Sequence, residues 1–237
     1  MVDRGRPVRL NACNKKEGSA MRFTRYILAL LAVAAMASAA HAEFEIKAYG
    51  GMNENFDSNV KTQQGATSDS RDVSWDGKSF EMPPYWGVRG TYWMETDWGV
   101  AIDFAHTKAY GEVDFGTDPV YDVLEFTDGA NTLTANVLYR WQDKQSSWVP
   151  YVGGGVGIGI PHVEVTLDGG TETFEYQIAG PVGQVLVGTD YNLTESWKLF
   201  AEAKLSYMYI HADLDGGGST ETQLWQPQLA LGLGYSF

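Results

Sequence analysis

Three histidines and a set of carboxylates are the residues of this sequence best suited to chemistry. Beyond residues 1–42 the histidines are His106, His162 and His211. Carboxylates lie in the same stretches of chain: Glu81, Glu125, Asp128, Glu164 and Glu175. Two or three imidazoles with carboxylates and open positions can hold Fe(II), Mn(II) or Zn(II). A second explanation stays open, because histidines are also common among the polar residues at the rim of a surface protein.

Other catalytic chemistry has less support. Ser79 and Ser206 are available for acyl hydrolysis, but neither lies in a nucleophile motif. The glycine-rich run 152–160 lacks the Lys-Ser/Thr pair and the helix of a phosphate-binding loop. Its alternate glycines share one face of a strand, where missing side chains make room for bulky neighbours.

Period-2 alternation of apolar and polar residues identifies the elements that must position these side chains. We predict eight strands, at 44–52, 80–94, 97–113, 124–141, 148–165, 173–192, 196–213 and 223–237. The connections alternate between short and long, as in outer-membrane barrels. The predicted fold class is therefore all-β, an eight-stranded antiparallel transmembrane β-barrel. An even strand number puts both termini on the periplasmic side and the histidines near the extracellular rim.

Aromatic residues and interior charges are consistent with this barrel. An aromatic girdle is predicted at the short turns: Trp93, Trp98, Trp141, Trp148, Tyr191 and Trp197. Trp86 and Trp225 lie toward the opposite interface. Opposed charges fall in the inward phase, where they must pair: Glu45, Lys47, Arg89, Asp103, Arg140, Asp190, Glu202 and Lys204. The interior thus resembles the plugged OmpA-type barrels rather than an open pore.

The N-terminal region predicts export. Basic residues, the apolar run 26–40 and the small-residue sequence 40–42 indicate a signal peptide over 21–42, leaving 43–237 as the barrel domain. Residues 1–20, with Cys13, are interpreted as a mis-called start or an extended n-region. The chain has a net charge of −13, and seven of its 17 basic residues lie within 1–42, so the barrel is strongly acidic and disfavours nucleic acid. Phe237 looks like the end recognised by the barrel assembly machinery of the Gram-negative outer membrane.

Four stretches toward the rim carry a family resemblance. They are residues 75–90, 103–110, 121–131 and 160–166, which include the sequences WDGKSFEMPPYWGVRG and IPHVEVT. They resemble the outer-membrane lipid A oxidases and their close relatives, and the similarity extends over 43–237.

This resemblance implies an activity: O2-dependent oxidation of the proximal glucosamine of lipid A, within lipopolysaccharide, to 2-aminogluconate, with release of hydrogen peroxide. It also implies a divalent metal ion, for which Mn or Fe is suspected, because side chains alone are poor redox groups. No motif fixes individual roles, so we assign them from rim position. His106, His162 and Glu164 are the expected metal ligands, Glu81, Glu125 and Asp128 the expected catalytic residues, and Lys78 and Lys108 the expected substrate contacts. The alternatives are a non-enzymatic barrel with a structural or adhesive role and a lipid A deacylase.

Overall fold

A computed structural model describes residues 43–113, 117–143 and 145–237, so the predicted signal peptide and residues 1–20 lie outside the described residues. The described chain folds into fourteen strands: β1 (Glu43–Asn53), β2 (Ser58–Gln64), β3 (Thr67–Val73), β4 (Trp75–Asp76), β5 (Trp86–Trp93), β6 (Trp98–His106), β7 (Ala109–Gly111), β8 (Tyr121–Phe126), β9 (Ala130–Arg140), β10 (Trp148–Leu167), β11 (Thr173–Tyr176), β12 (Gly180–Asn192), β13 (Trp197–Asp213) and β14 (Ser219–Ser236). No helix within these ranges is long and apolar enough to cross a bilayer.

Eight of the strands form a closed antiparallel barrel. The order around the wall is β12-β13-β14-β1-β5-β6-β9-β10, and β10 pairs again with β12. The first and last strands of the chain meet side by side, with Glu45 opposite Ser236. This closure leaves the eight-stranded wall itself without a free edge, and it confirms the predicted fold class.

Several predicted strand limits are wrong, and local chemistry explains why. The strand predicted at 80–94 begins only at Trp86, because Pro83 and Pro84 have no N–H to donate to a ladder. Residues 79–85 form a turn instead, in which the Tyr85 N–H donates to the Ser79 carbonyl at 2.8 Å. The strands predicted at 97–113, 124–141 and 173–192 are each interrupted. The loop predicted between strands one and two contains the hairpin β2–β3, which has little apolar alternation.

The barrel interior is charged toward the short turns. All of the predicted inward charges are buried. Arg89 bonds Asp103 at 2.9 Å and Glu202 at 2.6 Å, and Lys204 bonds Asp103 at 2.9 Å. Paired and hydrogen-bonded charges of this kind fill the lumen without the large penalty of isolated buried ions.

Toward the long loops the interior becomes apolar. The loop-end core consists of side chains from most of the strands, among them Val60, Trp75, Leu124, Phe126, Val163, Met208 and Ile210. The β10 glycines make room for it as predicted, since a Cβ on Gly159 would lie 2.4 Å from Met208 Sδ. The lumen is thus filled by side chains at both levels, as expected for eight strands.

The outer face carries an apolar belt between two rows of exposed aromatic rings. Trp98, Trp141, Trp148, Tyr191 and Trp197 lie at the short-turn end, and Trp86 and Trp225 at the loop end. Trp93 is a correction, because it is fully buried inside the barrel and has the Arg140 guanidinium 4.2 Å from its ring. Trp93 is close to the same turn as exposed Trp98, but its side chain points to the opposite face of the wall. Closeness to a turn therefore did not predict an outward orientation.

Candidate functional site

His106 lies on the outer face of the barrel, at the row of aromatic rings nearest the loops. Along β6 the odd-even alternation leaves Trp98, Val100 and Ile102 exposed, and the same phase reaches His106. Its neighbour across the ladder is Trp86, whose ring stacks on the imidazole with centroids 5.9 Å apart. His106 is nevertheless only 5% exposed, because the break between β8 and β9 covers it.

Asn131 fixes the proton of this imidazole. His106 Nδ1 lies 2.8 Å from Asn131 Oδ1, so Nδ1 donates the hydrogen bond and Nε2 keeps its lone pair. Nε2 is buried and has no hydrogen-bond partner among the described residues. Gly129 permits this close approach, since at its φ of +125° a Cβ would lie 2.6 Å from His106 Nδ1. The site therefore holds a neutral, oriented imidazole with a free acceptor.

His162 lies on the same outer face. Val163 and Val165 belong to the loop-end core, so the alternating His162 and Glu164 point outward along β10. The His162 N–H donates to the Gly129 carbonyl at 2.8 Å. Its ring packs edge-on against Phe174 and Tyr176 of β11, at 4.4 and 4.7 Å. Both histidines thus flank Gly129.

Two carboxylates face each other above the histidines. Glu125 on β8 and Glu164 on β10 are direct cross-strand partners, and the Thr127 hydroxyl donates to Glu164 Oε2 at 2.8 Å. Partial burial raises the pKa of Glu125, the Glu164 carboxylate raises it further, and Lys78 opposes both effects. Like charges directly opposite each other destabilise a sheet. This pair therefore works against the fold and is a candidate for function.

Lys78 lies near Glu125 of this carboxylate pair, and Lys108 lies beside Glu81. Lys78 has a left-handed φ of 36°, an unfavourable conformation for a non-glycine residue, and its N–H donates to Asp76 Oδ1 at 2.9 Å. Its ammonium lies 3.9 Å from the centroid of the Tyr110 ring. Lys108 is buried and donates to the Glu81 carbonyl at 2.9 Å. Burial lowers the pKa of Lys108, and the Glu81 carboxylate opposes that shift.

These residues form one continuous surface. The ladder connects Asp76 to Tyr110, Tyr110 to Glu125, and Glu125 to Glu164. We call this surface the outer shelf; it comprises Asp76, Lys78, His106, Lys108, Tyr110, Glu125, Asn131 and Glu164. It lies on the outside of the wall, directly on the loop side of the apolar belt.

Most predicted site residues lie on or beside the shelf. Glu81 and Asp128 are exposed at its margin, where the Tyr176 hydroxyl donates to the Asp128 carbonyl at 2.6 Å. His211 lies on β13, away from the shelf, where its exposed ring contacts Glu221 at 3.0 Å. Asn131, Tyr110 and Tyr176 were not among the predicted site residues. His106 is in phase with exposed Trp98 along β6, and His162 alternates with the buried Val163 and Val165 along β10. This alternation would have placed both histidines on the outer face.

The predicted metal ligands do not form one ligand set. Across 43–113, 117–143 and 145–237, no three His, Cys, Asp or Glu side chains converge closely enough to hold an ion. His106 already uses Nδ1 toward Asn131, and the ring of His162 lies against two aromatic rings. The assignment of His106, His162 and Glu164 as a metal triad therefore does not fit this geometry. The divalent cofactor itself stays a prediction.

The two candidate nucleophilic serines are occupied structurally. Ser79 Oγ donates to the Asn53 carbonyl at 2.9 Å, and Ser206 Oγ accepts from Gln228 at 2.8 Å inside the barrel. Neither has a histidine among its hydrogen-bond partners in the described chain. A Ser–His hydrolase has no support in this arrangement.

Several solved structures are similar to this chain over most of its length. Among solved structures, Neisserial surface protein A is 16% identical with a TM-score of 0.45, covering 84% of this chain and 98% of its own. Ail, the attachment invasion locus protein of Yersinia pestis, solved with the heparin analogue sucrose octasulfate, is 14% identical with a TM-score of 0.40, covering 84% and 100%. The N-terminal barrel domain of Pseudomonas aeruginosa OprF is 17% identical with a TM-score of 0.44, covering 82% and 97%.

No curated protein sequence matches the chain. The family described as the outer membrane protein beta-barrel domain matches residues 26–237, nearly the whole sequence. With the closed barrel already established, the chain belongs to this family and is a β-barrel protein of the outer membrane.

Proposed function

We propose that this barrel is a lipid A-modifying oxidase that converts the proximal glucosamine of lipid A to 2-aminogluconate. The observation that carries the proposal is the position of the outer shelf. Its polar groups face out of the wall beside Trp86, at the level where an amphipathic ring meets lipid headgroups. A protein acting on a water-soluble ligand would have no need for paired carboxylates and a lysine on the outside of the wall at this level.

The proposal includes an orientation. With the termini in the periplasm, the long loops and the shelf lie at the outer leaflet, where lipopolysaccharide is found. Phe237, 71% exposed and packed against Tyr235 with ring centroids 4.9 Å apart, supports recognition of the last strand by the barrel assembly machinery.

The reaction divides among residues of the shelf. Glu125 is the general base that takes the proton of the C1 hydroxyl, because its raised pKa brings a carboxylate closer to the operating pH. The C1–H bond breaks as the C1 carbonyl forms, two electrons and two protons pass to O2, and hydrogen peroxide leaves. Water then opens the lactone to the acid. The sugar gains one oxygen atom overall.

Other shelf residues bind and orient the substrate. Lys78 and Lys108 supply positive charge for the anionic groups of lipid A. His106 is buried beneath the β8–β9 break, so it acts as a positioning residue: the 2.8 Å hydrogen bond from its Nδ1 holds Asn131 in place. A divalent ion would make electron transfer to O2 easier. The described residues offer no three-ligand set for one, so no step of this scheme passes through a metal.

Mass spectrometry of lipid A tests the proposal. Lipid A from cells expressing the wild-type barrel should gain the mass of one oxygen relative to cells without it, and Glu125→Gln should abolish the gain. Glu175→Gln is the matched control, because Glu175 is an exposed carboxylate of β11 that bonds only Gln177 in the described chain. Loss of an acyl chain would instead indicate a deacylase. An unchanged spectrum with folded wild-type protein would leave the non-enzymatic structural or adhesive role.

A further inference from the structure

An apolar depression lies on the lipid-facing wall next to the outer shelf. It has a volume of about 560 Å³ and is formed by β1, β13 and β14 with one loop residue: Gly51, Met52, Phe80, Ala201, Glu202, Ala203, Leu229, Ala230 and Leu231. Leu229 and Leu231 project strongly from β14, while the outward neighbour of Leu229 on β13 is only Ala203. The alternation of large and small side chains makes a groove in a wall that would otherwise be level.

A polar pocket of about 260 Å³ joins the loop end of this groove. The two share Met52 and Phe80, and the polar pocket adds Glu54, Asp76, Lys78, Ser79 and Glu81. Phe80 is 79% exposed, which is a high exposure for an aromatic side chain unless something apolar covers it. The groove therefore leads from the apolar belt to Lys78 of the outer shelf.

From this continuity we infer that the groove holds an acyl chain of the lipid A molecule whose headgroup occupies the outer shelf. The inference rests on the proposed function for the identity of the lipid. A groove between the two aromatic rows faces the acyl chains of the membrane. The polar pocket at its loop end sets Lys78 among the carboxylates of Glu54, Asp76 and Glu81, a combination that suits a headgroup with both anionic groups and hydroxyl donors. The bilayer is as apolar as the groove, so the gain comes from shape-matched packing and the headgroup contact rather than from transfer out of water.

A second groove on the wall provides an internal comparison. It has a volume of about 400 Å³ and is lined by Gly155, Gly183, Gln184, Val185, Leu205, Tyr207 and Trp225. It lies on β10, β12, β13 and β14, away from Lys78 and Phe80. A side chain added at Gly183 would meet nothing within 4 Å, so this groove can be filled without disturbing the wall.

Native mass spectrometry of the detergent-solubilised barrel tests the inference directly. Wild type, Ala203→Leu, Gly183→Leu and Glu125→Gln are each incubated with purified lipid A and, separately, with phosphatidylglycerol. Ala203→Leu should lower lipid A retention by about fivefold, the size of effect that packing alone supports, and Phe80→Ser should do the same. Gly183→Leu should bind like wild type. Heat modifiability on gels checks that every variant is folded.

The outcomes separate this inference from the proposed function. Glu125→Gln should bind lipid A fully while failing to oxidise it. If wild type binds lipid A with this pattern but oxidises nothing, the oxidase proposal fails and the acyl groove stands. Equal binding by Ala203→Leu and wild type overturns the groove, as does equal loss in both leucine variants, which would indicate only a general lipid annulus. Wild type that prefers phosphatidylglycerol to lipid A also overturns it.

Discussion

Burial, together with the neighbouring Glu164 carboxylate, raises the pKa of Glu125. Each of these two glutamates is the nearest cross-strand residue of the other, and neither forms an ion pair in the described chain. Two like charges opposite each other destabilise the sheet, and a threonine or valine at either position would avoid this repulsion. Function is the economical explanation for such a conflict between local preference and observed sequence.

The pH dependence of oxidation should reveal this coupling. A general base works only when ionised, so the rate should rise with pH through the raised pKa of Glu125. Burial is the main cause of this raised pKa, and the Glu164 charge is the second. Glu164→Gln removes the second cause, so the acidic limb of the pH–rate profile should move to lower pH. Glu175→Gln should leave the limb in place. A limb that stays fixed or moves to higher pH in Glu164→Gln would show that Glu125 is not the base.

At the level of strands, the breaks matter as much as the strands. The gap between β8 and β9 places Gly129 against His106, and the gap between β6 and β7 places Lys108 under Glu81. An uninterrupted ladder would continue the strands away from the apolar belt. The polar groups would then not be gathered directly on its loop side. The breaks therefore create the shelf.

Gly129→Ala should disable the site without opening the barrel. The new Cβ would fall 2.4 Å from Asn131 Oδ1 and 2.6 Å from His106 Nδ1, so the imidazole must rotate away. We expect the oxidation rate to fall by about tenfold to a hundredfold, the range in which a misplaced catalytic geometry acts. Gly217→Ala is the control, because its φ of 91° also disfavours a residue with a side chain, while the added Cβ would have nothing within 4 Å. Wild-type activity in folded Gly129→Ala would contradict the assigned role of His106.

Sequence periodicity was sufficient for the strands of the wall but not for their interruptions. Alternation along β14 and β13 is regular, because one face meets lipid and the other the lumen. Gly129, Thr107 and Lys108 interrupt that pattern through backbone dihedrals and loop contacts that no period detects. The order and direction of the strands were enough to predict that the histidines lie near one end of the barrel. Predicting that they lie on the outer face also required the alternation of side chains along each strand. The partnership of His106 with Asn131 depends on a register that turn lengths alone did not fix.

Considered as a whole molecule, the barrel is a closed wall around two kinds of filling. The charged layer is centred on Arg89, which hydrogen-bonds both Asp103 and Glu202, and Lys204 also forms ion pairs with these two carboxylates. The apolar layer above it packs as a soluble protein does. Side chains of the described residues fill the lumen at both levels, and the outer shelf lies on the outside of the wall.

Removing Arg89 should destabilise the barrel strongly. Arg89→Met leaves two buried carboxylates with only Lys204 beside them, and we expect the unfolding free energy to fall by about 3–5 kcal/mol. Urea unfolding in phospholipid vesicles measures it. Adding Glu202→Gln should recover part of the loss, because one uncompensated charge is then gone.

Arg71→Met is the matched comparison. Arg71 also bridges two carboxylates, Asp69 and Asp118, but its side chain is 26% exposed. We expect its loss to cost less than about 1 kcal/mol. Equal effects of the two substitutions would mean that the interior network contributes no more than a surface one.

Because the shelf faces the membrane, the substrate concentration that governs the rate is a concentration within the membrane. In the proposed reaction, lipid A reaches the outer shelf by diffusing sideways in its own leaflet rather than through bulk water or the lumen. The relevant concentration is then the mole fraction of lipid A among its neighbours in the plane. Diluting lipid A with inert amphiphile at constant total amount should slow turnover, while diluting the whole suspension with buffer should not. The surface density of lipid A, rather than its concentration in solution, would determine the turnover rate of this protein in its membrane.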